Sequence, residues 1–408
     1  MASKFSTHRP GGTGCPHLSP FWTVSGPLFF GRIVALQCTS ARQIQRVKAV
    51  LRCTLCMVFS AGFTAIGQPA FTSLQVFGDS ASSTTDSPGL PEYHGNRYSN
   101  GRMWVEVLAG WQGMHFDITN HNQSFWEHYS FVLTNTVETY TPPPDATSAL
   151  FVVWVNNADM YWNITETPLI YDDSQLSKWT NANNQWISHH LTAISNLHAK
   201  GARTLLMPNA VDLTQTPDFA PGLDEAERAW IRERTREFND SFQGMLDQAM
   251  AMFPDLTIYS PDIFTLFDAV LSSPETYGMI NPGMGALDDP GLGDYSLDGP
   301  GADYVYWDYI HPTAKFQWLI AEEARKLIWP TRIRSITGGS GTTVLGTMNV
   351  PMGRPVEGDG RVEGSANLMD WIDVQFFPRT NTSLNLPVPV DGPRRFYRLS
   401  IPSQWVWP

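Results

Sequence analysis

Leu74-Gln75-Val76-Phe77-Gly78-Asp79-Ser80 is a β-forming apolar run that breaks abruptly into Gly-Asp-Ser. Such a run reads as a buried strand ending in a tight turn, the usual way to present a side chain at the rim of an α/β sheet. Ser80 then stands where a substrate can reach it. A serine hydroxyl is a weak nucleophile at neutral pH, so it needs an imidazole to take its proton, and the imidazole needs an acid on its other nitrogen. Far downstream, Asp308-Tyr309-Ile310-His311 supplies both from one loop, and the spacing of three places the two side chains on the same side of a turn. Pro312, followed by Thr313-Ala314-Lys315-Phe316, reads as a helix start that fixes this loop. The candidate catalytic residues are therefore Ser80, Asp308 and His311.

Between these points, short apolar runs alternate with amphipathic stretches, the signature of a parallel sheet flanked by helices. Leu74–Phe77, Leu150–Val155, Thr204–Met207 and Leu256–Tyr259 are the strand candidates. Phe238, Phe242, Met245, Leu246, Ala249, Met250 and Phe253 recur at helical spacing, predicting a helix from about Asp224 whose aromatic and Met residues are core. A second helix is expected after His311, through Phe316, Leu319, Ile320, Ala324 and Leu327. The expected fold is α/β: a three-layer α/β/α domain over residues 68–330 with a mostly parallel sheet. Residues 331–408 change character, with short alternating runs at Val344–Val350, Trp371–Phe377 and Phe396–Ile401, and read as a small β-sandwich with Trp371 and Phe396 in its core.

Taken together and in this order, the two motifs resemble the GDSL or SGNH hydrolase family across residues 71–328. The segment Arg97-Tyr98-Ser99-Asn100-Gly101-Arg102-Met103-Trp104 looks like the Ser-Asn-Gly-Arg-x-Trp that follows the nucleophile in many lipase-like members. The resemblance implies a flavodoxin-like sheet and a serine esterase or lipase working through an acyl-enzyme. It also implies an oxyanion hole built from the nucleophile's N–H, a glycine N–H and an asparagine side chain. Both later positions depart from the family pattern here. Glu127 stands where glycine is expected, and Ala158 stands at the aligned asparagine, with Asn157 one residue earlier as the available donor. Losing one such donor typically costs about 100- to 1000-fold in rate. Two other readings of the same residues are a binding protein that kept the fold and lost activity, and an acyltransferase. Substrates implied by the family are small-molecule esters, lipids or acylated carbohydrates. The segment 362–371 with Arg395-Phe396-Tyr397-Arg398-Leu399 resembles a C-terminal β module of secreted bacterial proteins.

At 408 residues, 42% hydrophobic and 16% charged, the chain is long enough for one large domain and a small one. Cys15, Cys38, Cys53 and Cys56 are its four cysteines, so disulfides and cysteine-based metal sites are excluded beyond residue 67. The first 67 residues carry seven basic side chains and no acid, leaving 20 basic and 39 acidic residues beyond them. That balance is a poor match for nucleic acid. A basic front (Arg42, Arg46, Lys48, Arg52), an apolar run from Cys53 to Ile66 and small residues up to Gly67 have the layout of a secretory signal. Residues 1–67 are expected to be a leader, the protein secreted or periplasmic, and no integral membrane span is expected after signal removal. The Gly-, Pro- and Asp-rich stretch between Met279 and Asp303 is rich in possible Ca²⁺ ligands, but its spacing fits no EF-hand and it is expected as a solvated lid or rim. His94, His115, His121 and His128 lack clean ligand spacing, and no phosphate loop or nucleotide fingerprint is present, so no metal and no cofactor are expected.

Overall fold

The computed structural model describes residues 71–86, 89–166 and 168–328, together with the segments 333–339, 342–347, 360–366, 368–377, 384–389 and 396–400. The expected leader lies outside the described residues.

Four parallel strands in the order β1-β2-β3-β4 make the central sheet: β1 (Leu74–Gly78), β2 (Leu150–Trp154), β3 (Thr204–Leu206) and β4 (Thr257–Tyr259). All five residues of β1 and of β2 are buried, as expected of strands covered on both faces. The covering helices are α1 (Trp104–Gln112), α2 (Ser130–Thr139), α3 (Asn156–Thr165), α4 (Leu176–Ala199), α5 (Glu225–Met252), α6 (Ile263–Ser272) and α7 (Ala314–Ile328). They pack in two groups, α2 with α4 and α4 with α5, and α1 with α7 and α6 with α7. The result is the three-layer α/β/α arrangement with the parallel sheet the sequence predicts.

Helix α5 starts where the pattern places it. Asp224 accepts from the Glu227 N–H at 2.9 Å, and Glu227 Oε2 returns the bond to the Asp224 N–H at 2.9 Å, a reciprocal capping box. Its buried face, from Ile231 through Phe238, Phe242 and Ala249, follows helical spacing and faces the core.

The outer edge of β1 would otherwise be an unpaired row of backbone groups. A non-helical segment covers it: Leu74 N–H donates to His115 O (3.0 Å), Val76 N–H to His121 O (2.8 Å) and Gln123 N–H to Val76 O (2.8 Å). That segment continues directly into Trp126 and Glu127, so shielding the edge also delivers these residues to the end of β1.

The Met279–Asp303 region is more regular than the lid expected from its composition. β5 (Ile280–Gly285) pairs in parallel with β6 (Tyr304–Tyr306) beside the catalytic-loop candidate. Further along, β9 (Gly360–Ser365) pairs antiparallel with β10 (Ile372–Phe377) and β12 (Phe396–Ser400). β8 (Thr342–Thr347) pairs antiparallel with β7 (Ile333–Gly339) and β11 (Leu384–Pro389). These two three-stranded sheets form the small β module. One expectation there needs correction: Phe396 is 42% exposed, while Val362 and Phe377 are the buried apolar residues among those described. Trp371 is half-buried and carries Arg398 over its ring, 4.2 Å from the centroid, which takes it out of a purely apolar core.

Candidate active site

Because Gly78 pairs with Trp154 in register, β1 and β2 end at the same level and their following loops adjoin. This is the crevice where open α/β sheets place ligands. A Cβ at Gly78 would lie 2.6 Å from Ser82 Cβ and 2.8 Å from Ser124 Oγ, so only glycine lets the chain turn here. Asp79 caps the following turn, accepting from the Ala81 N–H at 3.0 Å, and Ser80 opens it.

His311 Nε2 lies 2.9 Å from Ser80 Oγ, and His311 Nδ1 lies 2.8 Å and 3.0 Å from the two carboxylate oxygens of Asp308. The structure thus brings the three sequence-predicted residues into one hydrogen-bonded array. Asp308 Oδ1 also accepts from the backbone N–H groups of Ile310 (2.9 Å) and His311 (2.7 Å), which makes the Asp-x-x-His turn self-supporting. Burial alone would push Asp308 up, but the charge of His311 and these hydrogen bonds outweigh it and hold the carboxyl below its ordinary range.

The Ser-Asn-Gly-Arg segment acquires a physical role. Asn100 Oδ1 accepts from the Ala314 N–H at the start of α7 (2.8 Å), and Ser99 Oγ donates to Pro312 O (3.0 Å). Arg97 and Glu106 form a bidentate pair at 2.7 and 2.8 Å that stiffens the same stretch. The residues after the nucleophile therefore fasten the helix that fixes the His311 loop.

Aromatic residues surround the His311–Asp308 pair. Tyr98 stacks on His311 (4.5 Å between centroids, 27°), Trp126 lies 5.6 Å away at 63°, and the hydroxyl of Tyr93 donates to Asp308 Oδ2 at 2.8 Å. None of these contacts is legible in the sequence, because the partners are distant along the chain, 215 residues in the case of Tyr93 and Asp308. His128, one of the histidines weighed as a metal ligand, is instead a brace: its Nδ1 is 2.9 Å from Gly78 O at the end of β1. Burial lowers its pKa to about 4 and keeps the ring neutral. Among the described residues, no group of three or more His, Cys, Asp or Glu side chains is placed to hold a metal ion.

On the oxyanion side, Glu127 has φ +60°, a left-handed conformation that costs a residue with a Cβ about 1–2 kcal/mol. The backbone at the glycine-expected position has kept the conformation that glycine favours. The side chain is exposed and hydrogen-bonds the Tyr129 hydroxyl. Among the described residues, the N–H groups of Ser80 and Glu127 donate to no protein acceptor. Asn157 is anchored through Oδ1, which accepts from the Val211 N–H at 3.0 Å, and it lines the same pocket as Ser80, His311 and Glu127. Its amide Nδ2 is thereby left to donate elsewhere.

Behind this wall lie two buried carboxyls. Asp79 Oδ2 and Asp159 Oδ2 have no hydrogen-bond partner. Burial, only partly offset by the Ala81 N–H and the charge of His311, raises Asp79 to about 7. Burial also raises Asp159 to about 8, with Asp79 contributing and the Ser130 N–H and hydroxyl opposing. The pocket in front has a volume of about 60 Å³ and is walled by Trp126, Tyr161, Val211, Leu213, Phe267 and Ile310.

A parallel α/β sheet with Gly-Asp-Ser at the end of its first strand and Asp-x-x-His on a late loop has the layout of a GDSL/SGNH acylhydrolase, and sequence likeness supports that family for this chain. The chain is 27% identical over 142 residues to the thermolabile hemolysin of Vibrio parahaemolyticus, covering 32% of this chain and 33% of that one. It is 22% identical over 165 residues to a GDSL esterase/lipase of Arabidopsis thaliana, covering 37% and 42%. The chain thus spans between a third and about two-fifths of the curated relatives it matches. No family model matches. Among solved structures, a protein described as a GDSL-like lipase from Parabacteroides merdae gives a TM-score of 0.38 at 11% identity, over 63% of this chain and 94% of that one. The α/β hydrolase LAE5 from the Lake Arreo metagenome gives 0.37 at 14%, over 64% and 98%.

Proposed function

We propose that residues 68–330 form a serine ester hydrolase. Ser80 attacks the substrate carbonyl, His311 Nε2 takes the hydroxyl proton and then delivers it to the leaving alcohol, and Asp308 orients the imidazole and balances its charge. Water, activated by the same imidazole, then releases the acyl group from Ser80. The observation that carries this reading is the unbroken hydrogen-bond chain from Ser80 Oγ through His311 to Asp308. The tetrahedral oxyanion is assigned to the N–H groups of Ser80 and Glu127, with Asn157 Nδ2 as third donor in place of the side chain that Ala158 lacks. The substrate is a small-molecule ester, a lipid or an acylated carbohydrate. The expected leader would make the protein secreted or periplasmic, with residues 331–408 as a separate module. No described helix is long and apolar enough to cross a membrane.

Hydrolysis of p-nitrophenyl acetate by the purified protein, beside its Ser80→Ala and His311→Ala variants, tests the proposal. Turnover that both substitutions reduce to background is the expected result. A wild type no faster than Ser80→Ala across several acyl lengths would leave the binding-protein reading, which the Ala158 position favours. Adding an alcohol acceptor separates hydrolysis from acyl transfer by the appearance of a transesterified product.

A further inference from the structure

Tyr93 belongs to no motif, yet its hydroxyl reaches across 215 residues to Asp308 Oδ2 at 2.8 Å, in a bond between buried groups. We propose that Tyr93 is a positioning residue of the Ser80–His311–Asp308 array: it fixes the Asp308 carboxylate against the imidazole and tempers the pull of that carboxylate on the Nδ1 proton. The proposal rests on the hydrolase reading above.

The division of labour at Asp308 carries the argument. Oδ1 is held by the N–H groups of Ile310 and His311, bonds that the turn makes with itself. His311 Nδ1 lies against both oxygens, nearer to Oδ2 (2.8 Å against 3.0 Å), and Oδ2 alone also accepts from the Tyr93 hydroxyl. The terminal torsion of an aspartate is broad, so the turn alone leaves the plane of the carboxylate loosely set. A second donor on Oδ2, coming from another part of the chain, sets it.

Tyr93 is itself built in. It is 7% exposed in a satellite apolar cluster with Ala286, Tyr304 and Trp307, separate from the main core. Trp307 Nε1 donates to Glu92 O at 3.0 Å, pinning the backbone immediately before Tyr93. The Gly- and Asp-rich stretch leading to the catalytic loop thus supplies part of the socket for this phenol. Tyr93 also meets Tyr98 edge-on (6.3 Å, 78°), and Tyr98 stacks on His311, so the two rings touch both the acid and the base. Burial first, and then the charge of Asp308, push the Tyr93 phenol far above its ordinary range, so it remains a donor at every working pH. The other titratable groups facing Asp308 are Tyr98, Tyr309, Asp218 and Asp288.

Hydrogen bonds to charged groups are stronger than those between neutral ones. Losing this one leaves Asp308 Oδ2 with His311 Nδ1 alone, so the carboxylate pulls harder on the Nδ1 proton and its plane is less firmly set. In Tyr93→Phe, kcat for p-nitrophenyl acetate is expected to fall about tenfold with KM unchanged, and the acidic limb of the kcat/KM–pH profile to rise by roughly half a unit. Tyr304→Phe is the control. It removes a hydroxyl of the same cluster that bonds Asp289 at 2.6 Å, not Asp308, and should keep the wild-type profile. Placing 3-fluorotyrosine at position 93 strengthens the donor without changing the fold and should move the acidic limb downward. A folded Tyr93→Phe with wild-type kcat and limb overturns the proposal, as does an equal shift in Tyr304→Phe. If Tyr93→Phe does not fold, an acidic limb unmoved by fluorotyrosine overturns it. Activity that survives Ser80→Ala sinks the hydrolase reading itself, a separate result.

Discussion

Asp308 and Asp79 are both 3% exposed, yet their carboxyls are shifted in opposite directions. Asp308 has a donor for each of its oxygens, from its own turn, from His311 and from Tyr93, and stays ionised. Asp79 has the Ala81 N–H on one oxygen and nothing on the other, and is raised to about 7, beside Asp159 at about 8. Burial is therefore not what sets the charge of an acid in this site. The supply of donors sets it, and the two acids differ in that supply. Under the proposed mechanism, the acid that carries charge through the reaction is the fully partnered one, Asp308. Asp79, which lines the pocket beside Ser80, is under that mechanism the acid pushed toward neutrality, where it repels a developing negative charge least.

The strongest attempt to break this contrast is to neutralise each acid in turn. Asp308→Asn is expected to cut kcat about 10⁴-fold by disturbing the imidazole tautomer, while Asp79→Asn, which keeps the Oδ1 acceptor for Ala81, should leave most of the activity at pH 7. Equal losses in p-nitrophenyl acetate turnover would mean that burial, not partnering, was the relevant variable. Next in size is Asn157→Ala, expected to lower kcat about 100-fold with KM nearly constant. An unchanged kcat would remove Asn157 from the oxyanion site.

Smaller effects concern stability. The folded pKa of Asp159 lies above its ordinary value of 3.8. Its contribution to stability is thus complete below about pH 4 and is lost as the pH rises toward 8. Asp159→Asn should therefore match the wild type near pH 4 and melt higher at pH 8.5, by about 2 kcal/mol or roughly 5 °C. Asp308, depressed instead, should show the opposite trend in Asp308→Asn: a loss of stability at neutral pH that shrinks as the solution is acidified through the unfolded value. Thermal melts taken from about pH 2 to pH 8.5 read both signs in one series, Asp308 below about pH 4 and Asp159 above it. Smallest is Glu127→Gly, which relieves the positive φ and should raise the melting temperature by a few degrees with kcat unaltered.

What could be read from the sequence divides along similar lines. The strands, the start of α5 at Asp224 and the Ser80, Asp308 and His311 array were legible because each rests on a local pattern: an apolar run, a capping box, a turn of fixed spacing. Glu127 was legible only as a departure from glycine, and the structure shows what the departure preserved, the left-handed backbone. Tyr93 carried no local signal, since its partner is 215 residues away and a tyrosine at a loop position has many uses. The pairing of β5 with β6 was hidden by Gly and Pro residues that read as loop. Phe396 was misplaced because aromatic content alone does not say which face of a small sheet is covered.

The Asp-x-x-His turn holds itself together, whereas Ser80 meets His311 only across 231 residues of intervening chain. During refolding the acid and base can therefore be correctly arranged long before the nucleophile arrives. Closing that separation is among the slow, topology-limited events of folding. Recovery of esterase activity should accordingly trail recovery of helical signal after dilution from denaturant. The single 2.9 Å contact between Ser80 and His311 would then serve as a chemical clock for completion of the fold.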